Sequence, residues 1–406
     1  MKKEKLRKYA HLIAVTGINV QPGQEVIIYA DLDQPEFVKM LVEECYKCKA
    51  KLVKVEWSYQ PLEKVHVHYK SVKTLNTLEA YEEAKLQHQL EVLPCTIRLD
   101  SADPAGLAGM NTEKLTKCKE RRMKVRAYRN KMENRYQWCV AAVPSKAWAK
   151  RVFPDLRVST AEEKLWEAIL TAAKVTDDPV KTWEEHNEQL RRRCALINTL
   201  KIRKLHYTAS NGTDLTVGVI PGAGFVGSEA KTFSGVVYNP NIPSEECFIT
   251  PKKGEADGIV YATKPLSYNG QLIENISIRF KNGKAVEWNA EKNKDLLTEI
   301  ITTDNGSAYL GECALVPFES PINQSGLLFY NTLFDENATC HLALGMGYSD
   351  SIRGYENMSY DELTELGVNR SMVHVDFMIG TPDFSVDAVS EDGSVHPLFR
   401  NGTWAI

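Results

Sequence analysis

The sequence lacks any apolar run that approaches the roughly 20 residues a membrane-spanning helix needs. Its 50 Lys and Arg residues nearly balance its 53 Asp and Glu residues, so the net charge of -3 indicates neither an acidic nor a basic partner. The sequence also lacks the Gly-x-Ser-x-Gly turn that presents the nucleophile of many serine hydrolases. We therefore expect no membrane segment and no chemistry based on that serine turn.

A cysteine pattern typical of disulfide bonds is also missing. The nine cysteines are odd in number and scattered, which is typical of a reducing compartment where thiols serve as small buried apolar residues. Only Cys45 and Cys48 lie close together, and they come late in a helical pattern, whereas redox pairs lie at a helix N-terminus.

His11 interrupts the apolar run of the basic N-terminus, and no small-x-small cleavage site follows it. We expect an amphipathic first helix rather than a signal peptide, and a cytoplasmic protein.

The pattern of apolar residues predicts two domains with different architectures. A continuous apolar run at 25–30, a helical stripe at 35–48 and a second strand-like run at 51–57 form a βαβ unit, which requires parallel strands. After residue 205 the pattern changes to short β-like segments separated by turns. We predict an α/β protein with an N-terminal βαβ domain and parallel sheet over residues 1–205, and a C-terminal β-rich α+β domain over residues 206–406.

Two segments suggest functions that we weigh against simpler interpretations. Gly222, Gly224 and Gly227 match the spacing of a dinucleotide-binding turn, but no helical stripe follows them, so we interpret them as a glycine-rich turn. Residues 114–151 contain 13 Lys or Arg against 2 acidic residues, with aromatics among them, as a nucleic-acid surface would. No RNA-binding motif accompanies this run, so a solvated helix face is the simpler interpretation.

Residues 340–377 contain the strongest candidate for a functional site. If a strand starts near His341, its imidazole points to one face and the leucines at 342 and 344 point to the other. In V-H-V-D-F at 373–377, His374 and Asp376 point to the same face. An imidazole and a carboxylate on one face suit a divalent metal, which binds both at about 2.0 to 2.2 Å in zinc sites. A core histidine satisfied by a neighbouring carboxylate explains the pattern equally well, so both interpretations stay open at this point.

Two further acidic positions are unusual. Glu245 and Glu246 follow a Pro-Ser turn and lead into a short apolar stretch. Glu312 is the only charge in the apolar run at 310–317, where a carboxylate is costly unless it is paired or bound to a cation. A turn or helix-cap role explains Glu245 more readily than it explains Glu312.

Four blocks of the chain resemble those of the thermophilic-type metallo-aminopeptidases, the aminopeptidase T and aminopeptidase S family. The resemblance covers essentially the whole chain and is densest after residue 240. Four blocks in one order and at matching separations are far more specific than any one of them. The blocks are N-I-P-S-E-E-C-F, L-G-E-C-A-L-V-P, F-Y-N-T-L-F-D-E-N-A-T-C-H-L-A-L-G-M-G-Y and N-R-S-M-V-H-V-D-F-M-I-G.

The resemblance implies a site of two divalent metal ions with a catalytic tyrosine beside it. The number of residues between the two glutamate ligands of the family identifies Glu246, rather than Glu245, as the first of them. The chain departs from the family's pattern at Cys247 and Cys313, where apolar residues are usual. The implied metal ligands are Glu246, Glu312, His341, His374 and Asp376, and the implied catalytic residues are Glu312 and Tyr348.

The chemistry of such a set follows from its charges. Three carboxylates in one site repel one another, and two metal ions about 3.5 to 4 Å apart supply the positive charge they need. Two ions can activate a shared water, polarise the scissile carbonyl and hold a free α-amino group, which would make the enzyme an exopeptidase. Tyr348 could donate a hydrogen bond to the oxyanion, and Glu312 could act as a ligand, a proton shuttle or both.

We therefore predict a metal-dependent aminopeptidase, a hydrolase whose C-terminal domain binds the metal. Mixed His and carboxylate ligands favour zinc or cobalt in affinity, and magnesium is the third candidate. The expected partners are peptides with a free N-terminus, with no nucleic acid and no membrane, and the resemblance adds a homodimer with enclosed active sites. The alternatives are a non-catalytic peptide-binding or scaffold protein of the same fold, and a nucleic-acid binder that uses residues 114–151.

Overall fold

A computed structural model describes residues 3–111, 114 and 117–406. The chain divides into two compact units: one contains the residues up to Trp183 together with Glu229–Ile242, and the other contains Glu184–Ser228 and Pro243–Ile406. The first unit is therefore discontinuous in sequence. The division into domains of residues 1–205 and 206–406 stays a prediction.

A four-stranded parallel sheet forms the centre of the first unit, in the order β2-β1-β3-β4. The strand β1 is a nearly continuous apolar run, as expected of a parallel strand covered on both faces. The first helix is tied to β4 by Tyr9, whose hydroxyl donates a hydrogen bond to the carbonyl oxygen of Ala142 at 3.1 Å. The four strands are β1 (Glu25–Asp31), β2 (Leu52–Ser58), β3 (Cys95–Asp100) and β4 (Trp138–Ala142).

Most of the helices belong to this unit, and their aromatic side chains hold several of them together. The rings of Tyr9 and Phe37 lie 5.4 Å apart between centroids, and those of Phe37 and Trp166 lie 5.5 Å apart. A short π-helical turn, Ile13–Gly17, extends the first helix. In the described part of the chain, the helices up to residue 198 are Lys3–Leu12, Pro35–Lys47, Pro61–Tyr69, Val72–Asn76, Ala80–Val92, Lys119–Met132, Lys146–Val152, Val158–Ala172 and Pro179–Asn198, and the last of them continues from the first unit into the second.

The remaining strands lie after residue 200, and nearly all of them belong to the second unit. Only β7 and β8 belong to the first unit, where they pair with each other. The strands are β5 (Ile202–Thr208), β6 (Asp214–Val219), β7 (Ala230–Lys231), β8 (Val237–Tyr238), β9 (Cys247–Ile249), β10 (Pro251–Tyr261), β11 (Leu266–Tyr268), β12 (Gln271–Ile273), β13 (Ser277–Lys281), β14 (Lys284–Asn289), β15 (Leu310–Leu315), β16 (His341–Gly345), β17 (His374–Met378), β18 (Ser385–Ser390), β19 (Val395–Arg400) and β20 (Thr403–Trp404).

Two antiparallel sheets of the second unit share one apolar core. The larger has eight strands in the order β14-β13-β10-β6-β5-β18-β19-β20, and the smaller has four in the order β17-β16-β15-β9. Tyr207 and Val217 of the larger sheet and Leu342 and Phe377 of the smaller one belong to the same buried cluster. The helical segments are Lys294–Ile301, Pro321–Gln324, Thr332–Asp335, Glu336–Ala338, Tyr355–Asn357 and Tyr360–Leu366.

The predicted fold class is confirmed. The first part of the chain contains a parallel sheet with helices, and the second part is dominated by antiparallel strands. In the described part of the chain, no helix is long and apolar enough to cross a membrane. The glycines at 222, 224 and 227 lie in irregular backbone that opens no helix, in agreement with a turn rather than a dinucleotide site.

Candidate metal centre

Four of the five implied ligands lie on neighbouring strands of the four-stranded sheet: Glu312, His341, His374 and Asp376. Glu312 of β15 pairs with Ala343 of β16, and Ala343 pairs on its other side with Asp376 of β17. Residues directly opposite each other in a sheet point to the same face, so both carboxylates leave the sheet on one side. One row further along, His374 of β17 pairs with Gly345. Neither Ala343 nor Gly345 carries a side chain that could fill the space between these groups.

The opposite face of the same strands is apolar and buried. It contributes Cys313, Leu342, Leu344 and Phe377 to the core, and these side chains are at most 2% exposed. This alternation agrees with the pattern that the sequence predicted for the two histidine-containing strands. The core therefore fixes the orientation of the strands, and with it the direction of the polar side chains.

The side chains meet in two groups that share Glu312. His341 Nε2 lies 3.2 Å from Glu246 Oε2 and 3.6 Å from Glu312 Oε1. His374 Nε2 lies 3.4 Å from Glu312 Oε2 and 3.3 Å from Asp376 Oδ1. Within each group the candidate ligand atoms all lie within 4.8 Å of one another. Such spacing would allow each group to surround one cation.

Hydrogen bonds orient both imidazoles in the same way. His374 Nδ1 lies 2.7 Å from the carbonyl oxygen of Met346, and His341 Nδ1 lies 3.4 Å from that of Thr339. A carbonyl can only accept, so Nδ1 carries a proton in either charge state, and Nε2 is the nitrogen that faces the carboxylates and would face a metal ion. Metal-bound histidines in proteins commonly have this arrangement, with one nitrogen held by a carbonyl and the other on the ion.

The group holds more negative than positive charge even when both imidazoles are protonated. Three carboxylates, those of Glu246, Glu312 and Asp376, are each at most 7% exposed. Asp376 Oδ1 is buried, and His374 Nε2 lies 3.3 Å from it as its ion-pair partner. Buried carboxylates are costly unless they are paired or coordinate a metal, and two imidazoles do not balance three of them. The donor set therefore fits divalent metal ions.

The imidazoles and carboxylates shift one another's pKa strongly. Burial alone would raise the pKa of Glu312, but its hydrogen bonds with His341 and His374 lower it to about 2. Burial raises the pKa of Glu246, and the charge of Glu312 adds to that effect. Burial alone would lower the pKa of both histidines, but the neighbouring carboxylates raise both well above the ordinary value. Without a metal, the histidines are therefore held in the protonated form.

The structure separates the two adjacent glutamates. Glu246 belongs to the group around His341, whereas Glu245 Oε2 lies 3.9 Å from His186 Nε2. The amide of Glu245 donates a hydrogen bond to Asn337 Oδ1 at 2.7 Å, which fixes the backbone just before Glu246. Of the two, only Glu246 belongs to a possible ligand group.

Tyr348 lies beside His374 at the end of a glycine-containing turn. The ring centroids of Tyr348 and His374 are 4.7 Å apart, and Thr250 Oγ1 donates a hydrogen bond to the Tyr348 carbonyl oxygen at 2.6 Å. The tyrosine side chain remains 36% exposed, so its ring has access to solvent. Partial burial raises the pKa of Tyr348, and the charges of Glu312 and Asp376 raise it further. The hydroxyl therefore keeps its proton and can act as a donor.

Sequence reasoning missed one acidic residue of this region. Glu336 opens the helical turn Glu336–Ala338, a few residues before β16. Burial raises the pKa of its carboxyl well above the ordinary value, and the charges of Asp376 and Glu246 raise it further. Glu336 belongs to neither of the two ligand groups. The only signal in the sequence was its place in the block that ends at Tyr348. The adjacent Asp335 is also acidic, so the sequence did not distinguish the two residues.

The other candidate segments of the sequence lie elsewhere. Cys45 is fully buried near the end of a helix, and burial raises the pKa of its thiol far above the reactive range, which agrees with core packing.

The basic segment, residues 114–151, forms the helix Lys119–Met132 over part of its length, and its residues 115 and 116 lie outside the described residues. Arg121 of this helix pairs with Glu82 at 2.6 Å, and Tyr128 donates a hydrogen bond to Glu83. These acidic partners agree with an ordinary solvated helix face.

A fold of this kind, with two groups of buried His and carboxylate ligands, is typical of metal-dependent hydrolases. Comparison with known families is consistent with that class, because the family described as thermophilic metalloprotease (M29) matches residues 2–404. The chain belongs to this family, as its sequence blocks predicted. Family membership implies divalent metal cofactors and a hydrolase that acts on peptide bonds.

The chain is similar over its whole length to proteins named as aminopeptidases. It is 40% identical to aminopeptidase PepS of Streptococcus thermophilus, over 100% of this chain and 98% of the relative. It is 36% identical to aminopeptidase T of Thermus aquaticus, over 99% of both chains. The solved structure of wild-type AmpT from Thermus thermophilus superposes with a TM-score of 0.90 at 35% identity, and the match covers 100% of both chains.

Proposed function

We propose that this protein is a metal-dependent aminopeptidase that removes N-terminal residues from peptides and holds two divalent ions. The observation that carries the proposal is the pair of ligand groups that share Glu312. In this arrangement Glu246 and His341 would hold one ion, and His374 and Asp376 would hold the other. Glu312 would contribute to holding both, since its Oε1 faces His341 and its Oε2 faces His374.

The bound ions would lower the pKa of water and polarise the scissile carbonyl. The protein's own residues then have distinct tasks. Met346 and Thr339 hold the two imidazoles through their carbonyl oxygens, so that Nε2 stays available. The Tyr348 hydroxyl keeps its proton and would donate a hydrogen bond to the oxygen on which charge develops. Glu312, whose pKa is low, would accept a proton only transiently in addition to its role as a ligand.

The ligand chemistry narrows the choice of metal. Two imidazoles together with three carboxylates favour zinc or cobalt in affinity, while magnesium prefers oxygen ligands and retained waters. We propose that zinc or cobalt is the more tightly bound ion and that magnesium binds more weakly. Equilibrium competition among the three ions for the metal-free protein, read by mass spectrometry of the bound metal, tests this order.

Three further properties belong to this proposal. The relatives carry the name aminopeptidase, which supports substrates with a free N-terminus for this chain. The family resemblance supports a homodimer, which light scattering of the purified protein would detect as twice the mass of 45.7 kDa. The scattered cysteines support a cytoplasmic location.

The decisive experiment is hydrolysis of leucine p-nitroanilide by the purified protein before and after chelation. We expect activity to disappear when the metal is removed completely and to return when zinc or cobalt is added. Metal analysis of the active protein should give two ions per chain, and anomalous scattering from a crystal should place both beside Glu312. Activity that survives complete removal of metal would contradict the mechanism.

A further inference from the structure

The sequence block N-R-S-M-V-H-V-D-F contains two of the candidate ligands, His374 and Asp376, but its first three residues belong to neither ligand group. Asn369 opens this block and is fully buried in the second unit. A buried amide side chain is costly unless it forms hydrogen bonds. The hydrogen-bond partners of Asn369 therefore indicate what the start of the block does.

The side-chain amide of Asn369 joins two segments of backbone. Its Nδ2 donates hydrogen bonds to the carbonyl oxygens of Gly345 and Gly306 at 2.6 and 2.8 Å. Carbonyl oxygens can only accept, so the end of the amide that faces both of them is the nitrogen. The buried Oδ1 has no hydrogen-bond partner among the residues that the structure describes. An unpaired buried oxygen is costly, so this side chain contributes to the fold through its two donated hydrogen bonds.

The backbone of Asn369 holds the same turn at a second point. Its carbonyl oxygen accepts a hydrogen bond from the amide of Gly347 at 2.9 Å, and the amide of Met346 donates to the carbonyl oxygen of Val373 at 2.7 Å. The two peptide groups on either side of the Met346 Cα atom are therefore both held. Asn369 binds the oxygen of the first through its side chain and the nitrogen of the second through its backbone.

The two glycines that the Asn369 side chain binds allow the backbone segments to approach closely. Gly345 has a φ of +102°, and a Cβ atom there would collide with the carbonyl oxygen of Val373. A Cβ atom at Gly306 would collide with the carbonyl oxygen of Arg370. Glycine does little to restrict its own backbone dihedrals, so contacts from outside must fix the turn. The Asn369 side chain supplies one of these contacts to each glycine.

The segment that carries Asn369 is itself anchored at Asp304. The Asp304 carboxylate accepts hydrogen bonds from the amides of Gly306 and Met372 at 2.8 and 2.6 Å, and from Ser371 Oγ at 3.0 Å. These bonds hold the turn of Gly306 against the chain that leads into β17. A side chain on such an anchored segment positions its partners rather than following them.

We propose that Asn369 is a positioning residue of the metal centre, which orients His374 through the turn at Met346. The Asn369 side chain fixes the peptide group between Gly345 and Met346. The next carbonyl oxygen along the chain, that of Met346, lies 2.7 Å from His374 Nδ1 and holds the imidazole. Fixing this carbonyl oxygen therefore fixes the direction of His374 Nε2.

This inference rests on the proposed function, because it assumes that each of the two ligand groups holds an ion. It predicts an effect on one ion and not on the other. His374 Nε2 faces Glu312 and Asp376, so the ion of that group depends on the turn that Asn369 holds. The other imidazole, His341, lies beside the carbonyl oxygen of Thr339 instead.

Two background variants isolate the two ions. His341→Gln keeps the group of Glu312, His374 and Asp376 intact, and His374→Gln keeps the group around His341 intact. Zinc titration of the chelated proteins, read by competition with a chromophoric chelator, gives the affinity of the remaining ion. We expect Asn369→Ala to weaken zinc binding about tenfold in the first background and less than about twofold in the second.

A second substitution separates hydrogen bonding from volume. Asn369→Leu nearly keeps the shape of asparagine but removes the donors, whereas Asn369→Ala also opens a cavity. Both should cause the same selective loss, and either one suffices if circular dichroism shows that the other does not fold. The matched control is Asn198→Ala in the same unit, where Nδ2 also donates to a backbone carbonyl oxygen, that of Phe225 at 2.9 Å. This control should change neither affinity.

Hydrolysis of leucine p-nitroanilide supplies a further readout. With enough zinc to fill both sites, we expect the kcat of Asn369→Ala to stay within about threefold of the wild type. The reason is that Thr250 Oγ1 holds the Tyr348 carbonyl oxygen separately, at 2.6 Å. A wild type that binds two zinc ions and shows the selective loss, yet hydrolyses no peptide, would refute the proposed function and leave the positioning role standing.

Several results would overturn the role of Asn369. Equal losses of affinity in the two backgrounds, or failure of both variants to fold, would show a general structural role. Unchanged affinity in both backgrounds would show that the turn keeps its shape without the side-chain hydrogen bonds. A kcat that stays more than about tenfold lower with both sites filled would place the defect in the chemical step.

Discussion

Glu312 and Asp376 lie on the same face of the four-stranded sheet with one central strand between them, and both pair in register with Ala343 of that strand. Directly opposite residues in adjacent strands have Cβ atoms about 5 Å apart, so the two carboxylates flank a gap of two strand spacings. Only the methyl group of Ala343 projects into this gap from the sheet. The gap is the space in which cations would have to lie.

Enlarging the side chain between the two carboxylates should prevent metal binding. We expect Ala343→Leu to lose at least one of the two ions and to lower kcat/KM more than about a hundredfold, because the isobutyl group fills the space between the ligands. Metal analysis and hydrolysis of leucine p-nitroanilide check this. Ala343→Gly is the control; it keeps the gap open and should retain both ions at a stability cost of about 1 kcal/mol. Full metal content in Ala343→Leu would show that the ions lie elsewhere.

The neighbouring glutamates should differ sharply in their effect on the metal. Glu246→Gln removes a charged ligand from the group around His341, so we expect one ion to be lost or bound at least tenfold more weakly. Glu245→Gln changes a side chain of similar burial that belongs to neither group, and it should keep both ions. Metal titration of the two variants under the same conditions gives the comparison. Equal losses in both would count against Glu246 as the ligand.

Tyr348 should act on the chemical step rather than on metal binding. We expect Tyr348→Phe to lower kcat about 100- to 1,000-fold, the range seen when a single oxyanion donor is removed. Its metal content should equal that of the wild type, since the Tyr348 hydroxyl keeps its proton and is proposed as a hydrogen-bond donor rather than as a ligand. Steady-state kinetics together with metal analysis separate the two effects. A variant with normal kcat would exclude the hydroxyl from catalysis.

Metal binding should release protons and become tighter as the pH rises. The carboxylates raise the pKa of His341 and His374 well above 6.5, so both imidazoles are protonated in the metal-free protein at neutral pH. Their ion pairs stabilise the metal-free fold fully below about pH 6.5, and this stabilisation is lost as pH rises through the raised pKa values. For each proton that the metal ion displaces from the site, the affinity for the metal rises tenfold per pH unit. Zinc titrations at pH 6 and 7 check this, and a pH-independent affinity would contradict it.

Asp335 should make the folded protein less stable as the pH rises from 5 to 8. Burial raises its pKa to about 7, although the amides of Phe329 and Asn331 lower it somewhat. Between the unfolded value of 3.8 and this value the folded state holds a proton that the unfolded state has released, so stability falls as pH increases. The loss attributable to Asp335 is about 2 to 3 kcal/mol.

The variant Asp335→Asn isolates this contribution, because asparagine does not titrate. Urea denaturation of the chelated protein at pH 5 and pH 8 gives the stability of both proteins, and groups other than residue 335 cancel in the comparison. We expect the asparagine variant to lack the additional loss of the wild type. Parallel pH dependences of the two proteins would show that Asp335 does not titrate in this range.

Several features of the fold could be read directly from the order of residues. The apolar run of β1 and the helix that follows it predicted a parallel sheet, because a strand buried on both faces needs a crossover helix. The alternation around His341 and His374 predicted which side chains leave the same face of a strand. Sequence blocks also identified the family. All of these depend on local periodicity or on ordered blocks, which do not require knowledge of distant contacts.

Other features became visible only in three dimensions. Periodicity assigns a residue to a face, but it does not say which residue of another strand lies opposite, so Ala343 as the spacer between Glu312 and Asp376 was not predicted. The separation of Glu246 from Glu245, and the carbonyl oxygen of Met346 that orients His374, likewise depend on contacts between distant segments.

The sequence by itself determined the fold class, the family and the set of side chains able to bind a metal. The tertiary structure decided their register, the carbonyl oxygens that hold the two imidazoles and the choice of Glu246 over Glu245. The physical reason is that side-chain direction follows from the local backbone, whereas the distance between two charges depends on how strands far apart in the chain pair and pack.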